Sequence, residues 1–405
     1  NKNNSSIIAS NNIEVSSKDN INNIYSSSIN AGGNMTIIAE NNINNLGAEL
    51  FAEYNAKLEA INGGINIETT KERSEKIGGY YDEIIDIAKV GTGSGSLEMT
   101  AKNDITIKAG DVNAAGDLSI SADNVNIATI ELEDYFKEVE KKESLTKSRT
   151  VTTEIFSITN KGSSIKSGGN TTITAKNDIN VIGSEFDSKG DINLEADNNV
   201  NILTALDTHY KSVTKEKDNL VKSSIDVRQN YDLLNRSSNL NADDNINISA
   251  KNINMVGTEM SAENGSLYAS EDINIVSAED TRYSYHYNEK TEKDLTQITI
   301  GTVATATAAV VGVLSSIGVI TAGAAVPAYS TAAALGKATL SVAKDGIKRG
   351  EETSTIEQTQ VKSVLDFNNL FESYSENNTT VIASDITAKN ENSKIETGDL
   401  GVVAI

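Results

Sequence analysis

The sequence predicts an all-β solenoid: a parallel β-helix with lateral β-hairpin arms and one apolar helical insertion. Three observations predict it. A unit recurs every 21 residues, each unit holds short runs that alternate apolar and polar residues, and Asn, Asp or Gly stand where the runs stop. Gly95 opens GSLEMTAKNDITI and Gly116 opens GDLSISADNVNI, 21 residues on; Gly169 and Gly190, then Asp244 and Gly265, repeat that separation. A further copy starts at Gly33. A fixed period of this length is the mark of stacked repeats.

Within a copy the alternation has the period of a half-buried strand, as in TTITA around Ile173 and DINVI with Ile179 and Val181. Each run is too short for a helix. One unit cannot bury its apolar face alone, so the units stack through parallel ladders at roughly 4.8 Å and line up their Ile and Val in interior columns. Asn103, Asp104, Asn177, Asp178, Asn252 and Asp272 fall at the corners, where Asn and Asp accept left-handed backbone and bond their own main chain. Stacked Asn can also form ladders.

Composition agrees. With 38% apolar residues in 405 the chain can bury a core, yet aromatics are 5%, Trp is absent and there is one Pro. Such a core rests on Ile, Val, Leu and Ala in thin layers. A formal charge of −22 repels phosphate backbones and anionic surfaces, which speaks against nucleic acid as a partner. With no Cys there is neither a disulfide nor a thiolate metal site. The first residues show no start Met and no signal peptide, so the chain reads as a piece of a longer protein.

The repeat is interrupted at related points. After stretches such as NILTALDTHYKSVTKEK (Asn201 to Lys217) the chain leaves the repeat and later returns. The excursions span about residues 71–94, 131–163, 206–239 and 280–297, inside a repeat region of residues 1–297. Their alternation, as in RTVTTEIFSIT (Arg149 to Thr159), predicts β-hairpin arms. Residues 298–350 form the apolar insertion and residues 351–405 a return arm with the final rungs; the chain re-enters the repeat near Ser164, Leu240 and Thr379.

AGGNMTIIAENNIN (Ala31 to Asn44), its copy SGGNTTITAKNDIN (Ser167 to Asn180) and AEDTRYSYHYNEK (Ala278 to Lys290) resemble the haemagglutinin repeats of filamentous-haemagglutinin-like proteins. The resemblance covers most of the chain apart from roughly residues 295–350. It implies a right-handed β-helix filament, secreted through a two-partner outer-membrane pathway of Gram-negative bacteria to the cell surface. The parent protein is then an adhesin or a contact-dependent growth-inhibition protein with a C-terminal toxin. The partners implied are a host or bacterial cell-surface receptor and the outer-membrane secretion partner. The family's secretion domain and a toxin domain are absent from this sequence, so secretion and killing belong to that parent. The motif specifies architecture far better than ligand.

One segment departs from the repeat. From Ile298 to Leu335 no residue is charged, and Ile298 to Ala322 is long enough to span a bilayer as a helix before Pro327 interrupts it. A membrane-inserting element would use Val303, Val310, Val311, Val313, Leu314, Ile317, Val319 and Ile320, with a target membrane as partner. The alternative is a packed helical hairpin, the commoner use of a Gly- and Ala-rich apolar run.

Chemistry is sparse. Asp104, Asp178 and Asp272 recur at one corner and would serve a polysaccharide-degrading enzyme only if they converged, whereas turn chemistry alone predicts their recurrence. His209 and His286 sit at matching places in two arms without metal-ligand spacing. The expectation is therefore no catalytic residue, no cofactor and no metal. Tyr283, Tyr285 and Tyr287 share one face of a strand, either as a ligand-contacting patch or as part of a cross-strand aromatic ladder. The mixed charges of EKTEKD (Glu289 to Asp294) keep an exposed edge soluble.

Overall fold

A computed structural model describes residues 5–292 and 347–404. Each 21-residue unit wraps into a rung of three short strands, for example Ser164–Ser167, Thr171–Ala175 and Asp178–Ile182. The first strands of eleven successive rungs build an 11-stranded parallel sheet, and the second and third strands, joined in a 20-stranded sheet, supply the other two walls. This is a parallel β-helix. In-register pairing turns the alternation into columns: Leu118, Thr171 and Ile192 stand on one another, as do Ile120, Ile173, Leu194 and Ile248. All of these are buried, and each fully buried Ile or Leu contributes about 1.5–3 kcal/mol. Where a column carries a large side chain, a small one answers it: a Cβ on Gly265 would meet the Phe367 ring at 2.3 Å.

The corners hold by a mechanism other than the expected one. None of the corner Asn and Asp has positive φ; among the described residues the non-Gly positions that do are Tyr25, Ser26, Ala109 and Ala383. The corner side chains reach instead to the neighbouring rung. The Asn170 Oδ1 accepts from the Asp191 backbone N–H at 2.8 Å, and the Asp191 carboxylate accepts from the Asn245 backbone at 3.1 Å and its amide at 2.6 Å. On the outside of the third wall, Asn180, Asn201, Asn254 and Asn274 each donate an amide N–H to the Oδ1 of the preceding rung's Asn, down to Asn126, at 2.9–3.0 Å, the ladder that stacking permits.

Left-handed backbone appears where the chain passes from the third wall to the next rung's first wall. Gly47, Ala109, Gly183, Gly257 and Ala383 occupy it in rungs 2, 4, 6, 8 and 10, counting from Ser6. Rungs 3, 5, 7 and 9 lack that residue, and the chain runs on into an arm. The arms are the hairpins Thr70–Lys76 with Gly79–Asp86, Ile130–Ser144 with Lys147–Lys161, Ala205–Asn219 with Lys222–Arg236, and Ala278–Glu292 with Ile347–Val361. They do not stand apart. All four join edge to edge in one eight-stranded antiparallel sheet beside the helix. The reason is geometric: two rungs advance the axis by roughly 9.6 Å, and the two strands of a hairpin occupy the same width.

The chain re-enters the first wall at Lys89, Ser164, Asn239 and Val364. The apolar segment, with Val303, Val310, Val311, Val313, Leu314, Ile317, Val319 and Ile320, lies outside the described residues, and so does the helical insertion expected there. Among the described residues no helix is long and apolar enough to cross a membrane.

Candidate interaction surface

The arm sheet gathers the scarce aromatics. Its register places Tyr80, Tyr135, Phe156, Tyr210, Tyr231 and Tyr283 side by side across six strands, with Ile356 on the seventh. Of 13 Tyr and 6 Phe in the chain, one row thus takes six. Tyr80 and Tyr135 have ring centroids 5.7 Å apart, and Tyr210 and Tyr231 meet edge to face at 6.5 Å, separations at which aromatic pairs attract. The rings are half-buried and shelter their shorter neighbours Thr208, Ser212, Val227, Leu233 and Thr281 on the same face.

Tyr283, Tyr285 and Tyr287 lie on this face. Tyr283 closes the aromatic row, Tyr285 stands between Gln229 and Ser354, and Tyr287 between Val227 and Glu352. The Tyr287 hydroxyl donates to the Glu289 carboxylate at 2.5 Å. Burial pushes all three phenols above the usual tyrosine range, Tyr287 furthest because Glu289 adds to it. At the row's first edge the Arg73 guanidinium lies 4.1 Å over the Tyr80 ring, a cation–π cap. The signal for the row was present in the sequence: Tyr135, Tyr210 and Tyr283 are each the sixth residue of an outgoing strand, and Phe156, Tyr231 and Ile356 each the tenth of a returning one.

At the base a repeated clasp ties arm to arm. Asp207 accepts from the Asn160 backbone at 2.7 Å and its amide at 3.0 Å, while Thr129 donates to Asn160 at 2.7 Å. Asp280, Asn235 and Thr204 repeat the arrangement at 2.7, 3.2 and 2.9 Å.

The histidines are not equivalent. His209 is the fifth residue of its strand and His286 the ninth, so the position matching His209 is Arg282. His209 meets Ser157 at 3.0 Å and His286 meets Asp226 at 3.4 Å, on the face opposite the aromatic row. Among the described residues no group of His, Asp and Glu is arranged to hold a metal ion. Asp104, Asp178 and Asp272 do fall in one corner column, but Asn residues separate them. Asn124, Asn199 and Asn378 donate to the three carboxylates at 2.7, 2.7 and 2.9 Å, so they act as ladder acceptors rather than as a convergent pair.

The family model for the hemagglutinin repeat matches residues 144–232 and 229–404. No curated protein and no solved structure matches.

Proposed function

The chain belongs to the hemagglutinin repeat family, and from that premise we propose that it is a stalk segment of a secreted bacterial cell-surface filament, an adhesin-type spacer holding binding or toxin domains away from the cell. The observation that carries this reading is the match between one hairpin and two rungs, which gives the rod a second, continuous sheet along its flank. A β-helix alone resists stretching through its ladders; a parallel rib of eight cross-linked strands also opposes bending. Eleven rungs span roughly 53 Å at 4.8 Å each. Function by reach needs no catalytic group, and the Asp corner column, already engaged by Asn, lends no support to a polysaccharide-degrading enzyme. Secretion through an outer-membrane partner and recognition of a cell-surface receptor are part of the same proposal and belong to the parent filament.

The test is length. Residues 164–238 form one repeat of two rungs and an arm, so parent filaments with that unit duplicated or deleted would be displayed on cells and their contact with target cells measured. Contact that scales with the number of units supports the stalk. Contact that ignores length but vanishes when the arms are cut back refutes it and makes the arms the binding element.

A further inference from the structure

The outer ends of the long arms break two local rules at once. Like charges directly opposite on neighbouring strands destabilise a sheet, yet Lys142, Arg149, Lys217, Ser224, Lys290 and Arg349 are consecutive partners across six strands, five cations with one Ser between them. The side chains of Lys142, Arg149, Lys217 and Lys290 are exposed and make no ion pair among the described residues. The nearby acids are engaged elsewhere, Glu143 with Lys141 and Glu292 with Lys222. A shallow depression there is lined by four cations, Lys142, Lys147, Arg149 and Lys217, against two carboxylates, Glu143 and Asp218. The second rule concerns turns. Two-residue hairpin turns favour Asn and Gly, but these arms turn through Leu145, 103% exposed, and through Leu220 and Val221, 63% and 56% exposed. The cation row lies two residues in from the strand ends, roughly 10 Å from the apolar turns.

We infer that the tips of the second and third arms, with Lys290 of the fourth arm beside them, dock on the surface of an anionic lipid bilayer. Leu145, Leu220 and Val221 enter the boundary between headgroups and acyl chains, and the cation row meets the lipid phosphates behind them, the order of apolar and basic groups that an interface selects. A sulfated polysaccharide would satisfy the cations but leave the Leu and Val side chains in water, so the apolar turns decide for a bilayer. The chain's overall charge of −22 does not oppose this, because screening confines the relevant field to about 8 Å and the tips are locally basic. The inference is independent of the stalk reading; it sets the filament side-on to a membrane with its arms as feet.

The test is flotation of the chain with phosphatidylcholine vesicles, with and without phosphatidylglycerol. It is run on the intact chain and on one whose residues 298–335 are replaced by a Gly/Ser linker, so that the apolar segment cannot account for binding. Both should bind only the anionic vesicles. Each of Lys142→Gln, Arg149→Gln, Lys217→Gln and Lys290→Gln should weaken binding about fivefold. Leu145→Ser with Leu220→Ser and Val221→Ser should weaken it about tenfold or more. Ile77→Ser is the control: Ile77 is a turn residue 97% exposed, but it belongs to the short first arm, whose tip lies beside Phe136, far below the other tips. It should change nothing. Circular dichroism confirms that each variant keeps its strands. The inference falls if the linker chain ignores anionic vesicles or if the Gln variants bind like the parent. It falls equally if a soluble sulfated polysaccharide binds the row while the Ser variants still float, which would make the row a polysaccharide site.

Discussion

The β-helix and the arm sheet solve the same problem in opposite ways. In the helix every rung turns one face wholly inward, so Ile173, Ile179 and Val181 are buried and the dry interior dominates. In the arm sheet neither face is wholly covered, and most residues of Ile130–Ser144 and Lys147–Lys161 are exposed or half-buried. Its order comes from the backbone ladder, the aromatic row, the Asn–Asp clasps and the attachment of each arm to every second rung. One region is stable by burial and the other by registration, so they should fail under different insults.

The largest effect should follow from disturbing registration itself. Deleting residues 164–184 removes one rung and brings the second and third arms within about 4.8 Å, half the width a hairpin needs. Deleting residues 164–238 removes two rungs together with an arm and restores the match. Hydrogen exchange should show the arm sheet unprotected in the first variant and protected in the second, although the second loses far more chain. Equal protection in both would mean that the arms are not held by rung spacing. Next in size, Ile173→Ala should cost about 2–5 kcal/mol in urea unfolding, because the cavity lies in a continuous column. Phe156→Ala, half-exposed in the row between Tyr135 and Tyr210, should cost only about 1–2 kcal/mol, with the loss of protection confined to the arms. If the two costs were equal, the contrast between burial and registration would be wrong.

Most of the helix was legible in the sequence because its signal is local and repeated. The 21-residue period, the alternation around Ile173 and the breaks that open each arm fix the rungs and the hairpins. What escaped was what depends on partners remote in sequence. The aromatics recur at fixed places in the arm strands, but that Tyr135 and Tyr283 meet in one row depends on the four strand pairings between them. The like-charged row from Lys142 to Arg349 is invisible for the same reason. The corner residues were read for the wrong property: Asn and Asp at a turn suggest left-handed backbone, but in a stacked solenoid the neighbouring rung's N–H groups compete for the same side-chain oxygens and win. Conversely, the positive φ at Ala109 and Ala383 falls on residues that turn chemistry would not choose.

The smallest effect should separate the two regions by pH. Among the described residues the buried positions of the walls include no Asp, Glu, Lys, Arg or His, so acid finds nothing there to titrate. The first arm is different. Asp82 accepts from Arg73 at 2.7 and 3.1 Å, from Lys71 at 3.0 Å and from the Glu133 backbone at 3.3 Å. Hydrogen bonding by Arg73, helped by Lys71, holds its carboxyl well below the usual range. A depressed carboxyl stabilises the fold while it stays ionised; that contribution is complete above the unfolded value of about 3.9 and is lost as pH falls toward the folded one. Below about pH 4 the Arg73 anchor should therefore loosen, uncovering Tyr80 and raising hydrogen exchange in residues 70–86 while the walls stay protected. Asp82→Asn should abolish the pH step and leave the first arm loose at neutral pH. If the Asn variant kept the same acid transition, the carboxylate would not be its cause, and the sensitivity of the arm sheet would have to reside in another of its charged rows.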